Sequence, residues 1–169
     1  MVHKILVAYG TTNGSTARIA EIVAENLRKG GASAETLPAG SVTTLAPYDA
    51  VVVGGALYGG RWHKDCRSFV SRNRRELGTL PLWFFSSGPL DSSASVRNIP
   101  PVSGVKRVMA RLDVKEHMTF GGCLQEGATG YVARKIVSSG KGGDFRDVEQ
   151  IEAWAAGIGR TLTAGETPR

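Results

Sequence analysis

The sequence predicts an α/β fold: a doubly wound, five-stranded parallel sheet in the order 2-1-3-4-5, with helices on both faces, in one domain spanning residues 1–169. Three observations predict it. Strand-sized apolar runs alternate with amphipathic helical patterns along the whole chain. Residues 48–55, Tyr-Asp-Ala-Val-Val-Val-Gly-Gly, have the near-continuous apolar character of a strand covered on both faces. The first strand ends in a hydroxyl-rich loop that opens directly into a helix, and right-handed crossovers then distribute the helices to both sides of the sheet.

The elements follow in order. Residues 3–9 read as the first strand, and residues 15–29 as an amphipathic helix with Ile19, Ile22, Val23 and Leu27 on one face, closed by Gly30 and Gly31. Residues 33–37 form a short second strand, and residues 48–55 the third. A helix over 63–76 buries Phe69 and Val70, and residues 80–85 are the fourth strand. Residues 105–112 are helical, 117–123 the fifth strand, and a last helix runs from Asp147 to about Ala164, begun by the capping box Asp147-x-x-Gln150. In such sheets ligands bind beyond the carboxyl ends of the strands where the strand order reverses, here between strands one and three.

The loop at that point is a phosphate cradle. A helix start leaves backbone N–H groups unpaired and carries roughly half a positive charge. Thr11, Thr12, Asn13, Ser15 and Thr16 add polar side chains, and Gly14 lets the backbone curl around an anion. The loop lacks the lysine of a nucleoside triphosphate loop and the glycines of a dinucleotide fingerprint, so a monophosphate is the better guest. The same residues also fit an ordinary strand-to-helix turn with Ser/Thr capping. The spacing Thr11-x-x-Gly14-x-Thr16 resembles the FMN phosphate loop of the flavodoxin family, with Asn13 where that family often carries another threonine.

That resemblance implies FMN as cofactor and directs attention to two further loops. Ala56, Leu57, Tyr58, Gly59, Gly60, Arg61 and Trp62 would flank the isoalloxazine. Tyr58 or Trp62 would stack on it, or else pack at the loop base, and the Gly59-Gly60 peptide has the freedom to turn as the ring changes redox state. Ser86, Ser87, Gly88 and Asp91 would face the ring's polar edge, or form a plain turn. His63 reads as a helix-start residue or a proton-transfer group. The run Val51-Val52-Val53-Gly54, the loop ending Arg61-Trp62-His63, then Phe69-Val70, Leu77, Pro81 and the entry Arg146 to Gln150 resemble the flavodoxin-domain branch that contains menaquinone-dependent protoporphyrinogen oxidase. The resemblance implies a flavin-dependent oxidoreductase or an electron carrier; a deazaflavin, or a flavodoxin-like interaction module without redox chemistry, are the alternatives. Residues 127–143 are shorter here than that branch's basic, aromatic and apolar insertion, and read as a surface loop, with a lid, a dimer contact or a weak membrane-facing piece as the alternatives.

Composition bounds the rest. A net charge of +6 favours an acidic redox partner protein or a carboxylate-bearing small-molecule donor or acceptor. The basic residues are scattered along the chain as Arg72, Arg74, Arg75, Lys106, Arg107, Arg111, Arg134 and Lys135, without aromatic platforms, which argues against nucleic acid and leaves at most peripheral membrane contact. Arg61 beside the flavin would favour the anionic reduced ring and make the couple less reducing than that of an acidic carrier. Cys66 and Cys123 match no redox or zinc spacing, so free thiols in the cytoplasm are expected. His3, His63 and His117 have no companion ligands in the sequence, so no metal site is expected.

Overall fold

A computed structural model of the chain describes residues 2–12, 14–58, 60–88, 93–96, 99–124, 143–144 and 146–165. Five strands, β1 (Lys4–Gly10), β2 (Ser33–Pro38), β3 (Ala50–Tyr58), β5 (Leu82–Ser87) and β6 (Val114–Phe120), pair in parallel in the order β2-β1-β3-β5-β6. This is the predicted 2-1-3-4-5 order with one addition: β4 (Arg61–Trp62) folds back antiparallel on the end of β3. A separate antiparallel pair joins β7 (Cys123–Leu124) to β8 (Gly143–Asp144). The helices are α1 (Ser15–Lys29), α2 (Lys64–Arg72), α3 (Arg74–Leu77), α4 (Ser93–Val96), α5 (Ser103–Met109) and α6 (Val148–Ala164).

Strand alternation divides the core into two layers. Ile5, Val7, Val52 and Phe85 point to one side, where Ile19 and Val23 of α1 and Ile151 and Ile158 of α6 cover them. Leu6, Val51, Val53 and Phe84 point to the other, beneath Phe69 and Val70 of α2, Leu77 of α3 and Val105 of α5. Burying each large side chain contributes roughly 1.5–3 kcal/mol, so the continuous apolar strands that predict the fold also stabilise it. Arg28 and Lys29 sit in the last turn of α1, where positive charge suits the helix dipole, and Gly31 at φ 98° leads the chain into β2.

The element boundaries depart from expectation where small or polar residues proved to be strand. β3 begins at Ala50 and runs past the expected end at Gly55, through Ala56 and Leu57, to Tyr58. A Cβ on Gly54 would lie 1.8 Å from the Phe85 ring, and one on Gly55 would lie 2.4 Å from Trp62 Nε1. The glycines are there so that aromatic rings can cross the central strand on each face. Likewise Ser86 and Ser87 are the buried end of β5, not a loop, and β5 begins only at Leu82, after Pro81, which has no N–H for the ladder. The helix expected over 63–76 breaks at Asn73, whose side-chain amide donates to the Phe69 carbonyl at 2.9 Å. The helix and strand expected over 105–112 and 117–123 lie at Ser103–Met109 and Val114–Phe120. Asp147 caps α6 by accepting from the Gln150 backbone N–H at 3.2 Å, but the Gln150 side chain donates to the Ala94 carbonyl instead of reaching back, so the box is half formed. Residues 125–142, and with them most of the 127–143 segment, lie outside the described residues.

Gly54→Ala forces its new methyl into the Phe85 ring, an overpacking cost of about 3 kcal/mol, the upper end of the usual range. The expected outcome is a urea unfolding midpoint well below that of the parent protein with an unchanged slope.

Candidate functional site

The site is built at the carboxyl ends of β1 and β3. Gly14 takes the left-handed conformation, φ 85°, immediately before α1, and its backbone N–H donates to Thr11 Oγ1 at 3.0 Å, so the loop is folded by its own first threonine. No side chain among the described residues caps α1, and its first turn contains no acidic residue. Thr16, in that first turn, is fully buried, and its Oγ1 has no hydrogen-bond partner among the described residues. A buried hydroxyl left unpaired costs roughly 1–3 kcal/mol. An anion at the helix start would engage the same first turn in which this hydroxyl lies.

The loop is held from the side by α2. His63 is the N-cap of α2: its Nδ1 accepts the Asp65 backbone N–H at 3.1 Å, and its Nε2 lies 3.3 Å from Thr12 Oγ1. Burial lowers the His63 pKa, against the opposing pull of Asp65. The neutral ring therefore carries its proton on Nε2 and donates it to Thr12, because Nδ1 is committed as acceptor. Gly10 makes this approach possible, since a Cβ there would stand 2.9 Å from His63 Nδ1 and 2.8 Å from Cys66 Sγ. The helix-start reading of His63 thus describes its bonding, and the Thr12 contact adds a role that no local pattern in the sequence announces.

The second wall is the hairpin of β3 and β4. Gly60 turns it at φ 74°, and the His63 backbone N–H donates to the Ala56 carbonyl at 2.8 Å. Ala56 is buried, Leu57 is half-buried, and Tyr58 stands at the rim, 37% exposed, edge-on to His63 at 6.3 Å between ring centres. Arg61 is exposed on β4. Trp62 corrects the stacking expectation. Its ring lies in the core 4.9 Å from Phe84, with Nε1 donating to the Phe85 carbonyl at 3.2 Å, so of the two rings expected to stack Tyr58 is the one left at the rim.

The third segment is partly withdrawn. Ser86 Oγ is 2.8 Å from His117 Nε2 inside the protein, so it does not face the crevice as expected; Ser87 is buried beside it at the strand end. Gly88 lies directly against Leu57, where a Cβ would come within 3.0 Å, and its backbone N–H donates to the Phe120 carbonyl at 3.1 Å. Ser15 Oγ accepts the Cys123 backbone N–H at 3.1 Å, which brings the start of β7 to the crevice, a neighbour that the sequence reading did not place there. Asn13, Gly59 and Asp91 lie outside the described residues. Both cysteines are free, and burial raises the pKa of each. Among the described residues, no cluster of His, Cys, Asp and Glu suits a metal ion and no helix is long and apolar enough to cross a membrane.

With this geometry established, comparison with known proteins becomes informative. The family described as Flavodoxin domain matches residues 6–151. Protoporphyrinogen IX dehydrogenase [quinone] of Escherichia coli, in strains K12 and O157:H7, is 28% identical over 85 residues, which is 49% of this chain and 47% of that protein. The match thus spans about half the length of these curated relatives. Among solved structures, a point mutant of flavodoxin from Pseudomonas aeruginosa is similar over 95% of this chain and 99% of its own, with a TM-score of 0.63 and 18% identity. Rubredoxin oxygen:oxidoreductase from Desulfovibrio gigas gives a TM-score of 0.65 and 13% identity over 98% of this chain but only 37% of its own. At these identities the structural likeness is one of fold.

Thr16→Val removes an unpaired buried hydroxyl at nearly constant volume. The ligand-free protein is expected to gain about 1 kcal/mol, read as a higher thermal midpoint, while stabilisation by added inorganic phosphate is lost.

His117 gives a pH signature. Burial lowers its pKa from 6.5 to about 4, so its contribution to stability is complete above pH 6.5 and is lost as the pH falls toward 4. The loss amounts to roughly 3 kcal/mol, and His117→Asn is expected to flatten unfolding free energy against pH across that window.

Proposed function

The chain belongs to the flavodoxin-domain family, and from that premise we propose that it is a redox protein that holds FMN in the crevice between the start of α1 and the β3–β4 hairpin. The observation that carries this reading is the buried, unpartnered hydroxyl of Thr16 in an uncapped helix start. The residues present fit the group. The N–H groups of Ser15, Thr16 and Ala17 and the Thr16 hydroxyl would hold a phosphate dianion, and the arrangement is one that a water-filled turn does not need.

Bound FMN supplies one- and two-electron chemistry; the chain supplies position and electrostatics. His63, neutral and donating to Thr12, keeps the loop in register without adding a charge beside the phosphate. Tyr58 offers the ring a face at the rim, and Gly60 gives the hairpin turn its left-handed conformation. Arg61, exposed on the same hairpin, brings positive potential to the rim and so favours electron uptake. We further propose an oxidoreductase of the protoporphyrinogen oxidase type, taking reducing equivalents from a carboxylate-bearing donor. The partial sequence match supports the reaction type, and the net charge of +6 supports the donor's charge.

The test is an absorption spectrum of the purified protein before and after incubation with FMN and removal of the excess, with the released cofactor identified after denaturation. One FMN per chain is expected, and affinity reduced at least tenfold in Thr16→Val. A protein that takes up no FMN overturns the reading, and recovery of a deazaflavin in its place corrects the cofactor. Anaerobic oxidation of protoporphyrinogen IX with a quinone acceptor then separates enzyme from carrier, since a carrier gives no turnover.

A further inference from the structure

The two faces of the sheet are covered differently. On one, α1 packs along α6. On the other, α2 and α5 are separated by a groove of about 770 Å³ that runs from the β3–β4 hairpin down to Leu112. Arg61, Arg67, Arg74, Arg107 and Arg111 line it, and among the described residues no aspartate or glutamate does. Arg67 Nε donates to the Trp62 carbonyl at 3.1 Å, which fixes one guanidinium near the hairpin. The other four, all exposed, form no ion pair among the described residues. Between them the floor is apolar, made by Val70, Val105, Val108 and Leu112.

We propose that this groove docks an acidic amphipathic helix of a partner protein, with the helix's apolar face on the valine floor and its carboxylates on the arginine rims. Arg67 in α2, Arg74 at the start of α3 beyond the break at Asn73, Arg107 in α5 and Arg111 in the turn after it all line the groove. Five like charges gathered without counter-charge repel one another, and a partner's carboxylates relieve that repulsion. A small carboxylate would meet the arginines but leave the apolar floor in water. A flat bilayer would not enter a concave seam. A helix with apolar residues at i, i+3, i+4 and i+7 and acidic residues beside them meets both requirements. Gly60 and Arg61 line the groove's upper end and also belong to the hairpin that walls the crevice, so a docked partner lies against the segment nearest the cofactor site. The docking surface does not depend on the identity of that cofactor.

The test uses a fluorescently labelled, alanine-rich helical peptide of about eighteen residues, with leucine at i, i+3, i+4 and i+7 and glutamate only at the positions flanking that stripe, titrated with the full chain by anisotropy. A second peptide carries glutamine for glutamate. Two variants probe the groove. Arg107→Glu with Arg111→Glu reverses one rim. Gly104→Trp fills the groove without altering charge, since a Cβ at Gly104 meets nothing within 4 Å. Binding of the glutamate peptide is expected to weaken tenfold or more in both variants and in about 0.5 M salt, and to be absent for the glutamine peptide. No binding, or binding that either variant leaves intact, overturns the proposal. So does equal competition by citrate or by phosphatidylserine vesicles, which would make the groove a small-anion or membrane contact. FMN uptake measured on the same samples reports folding of the variants; a parent chain that docks the peptide but takes up no FMN overturns the function proposed above and leaves the docking site standing.

Discussion

The architecture depends on how closely two aromatic rings approach the backbone of β3. Phe85 crosses the strand over Gly54 on the α1 side, and Trp62 crosses it over Gly55 on the α2 side. A methyl group at either position would push a ring out of its layer, and the core is too densely packed to absorb it. Trp62 is anchored there by its bond to the Phe85 carbonyl, so the short strand that bears it must fold back on β3. Strand alternation then decides the rest: Trp62 inward means Arg61 outward, with Tyr58 opposite it at the rim. One packing constraint thus sets the crevice wall and the head of the arginine groove together.

Much of this was legible in the sequence. The strands as elements and the limits of α1 follow from apolar periodicity, which reports burial directly. The loop from Thr11 to Thr16 was legible because hydroxyls, one glycine and a helix start form a local pattern. What escaped were the properties set by distant partners. Gly54 and Gly55 read as the end of the third strand, and only Phe85 and Trp62 placed against them show why that strand needs glycine there. Ser86 looks solvated until His117 is placed 2.8 Å away. Trp62 was a ring candidate by composition and a core residue by contact. The arginine groove escaped for a different reason: its members come from β4, α2, α3, α5 and the turn after α5, and no local spacing in the sequence brings them together.

The electrostatic character of the molecule is uneven in a useful way. Inside, ionisable groups are kept neutral: burial lowers both His63 and His117, and neither adds charge to the interior at neutral pH. Outside, positive charge is gathered along one seam that no carboxylate lines among the described residues. The uncapped start of α1 is a third kind of positive potential, made from backbone dipoles and therefore independent of pH. An anion held by N–H groups and a hydroxyl is not released when a side chain titrates, whereas attraction at the arginine seam weakens with salt.

Cys66 shows what tight packing does to chemistry. Its thiol has no exposure, donates to the Gly54 carbonyl at 3.2 Å, and is driven by burial to hold its proton far above the ordinary thiol range. The reactive form of a cysteine is the thiolate, so a sulfur seated beneath Gly10, at the base of the loop from Thr11 to Thr16, stays chemically silent while the fold is closed. It becomes alkylatable when the structure around it opens, so the rate of its labelling by a thiol reagent is expected to report that opening.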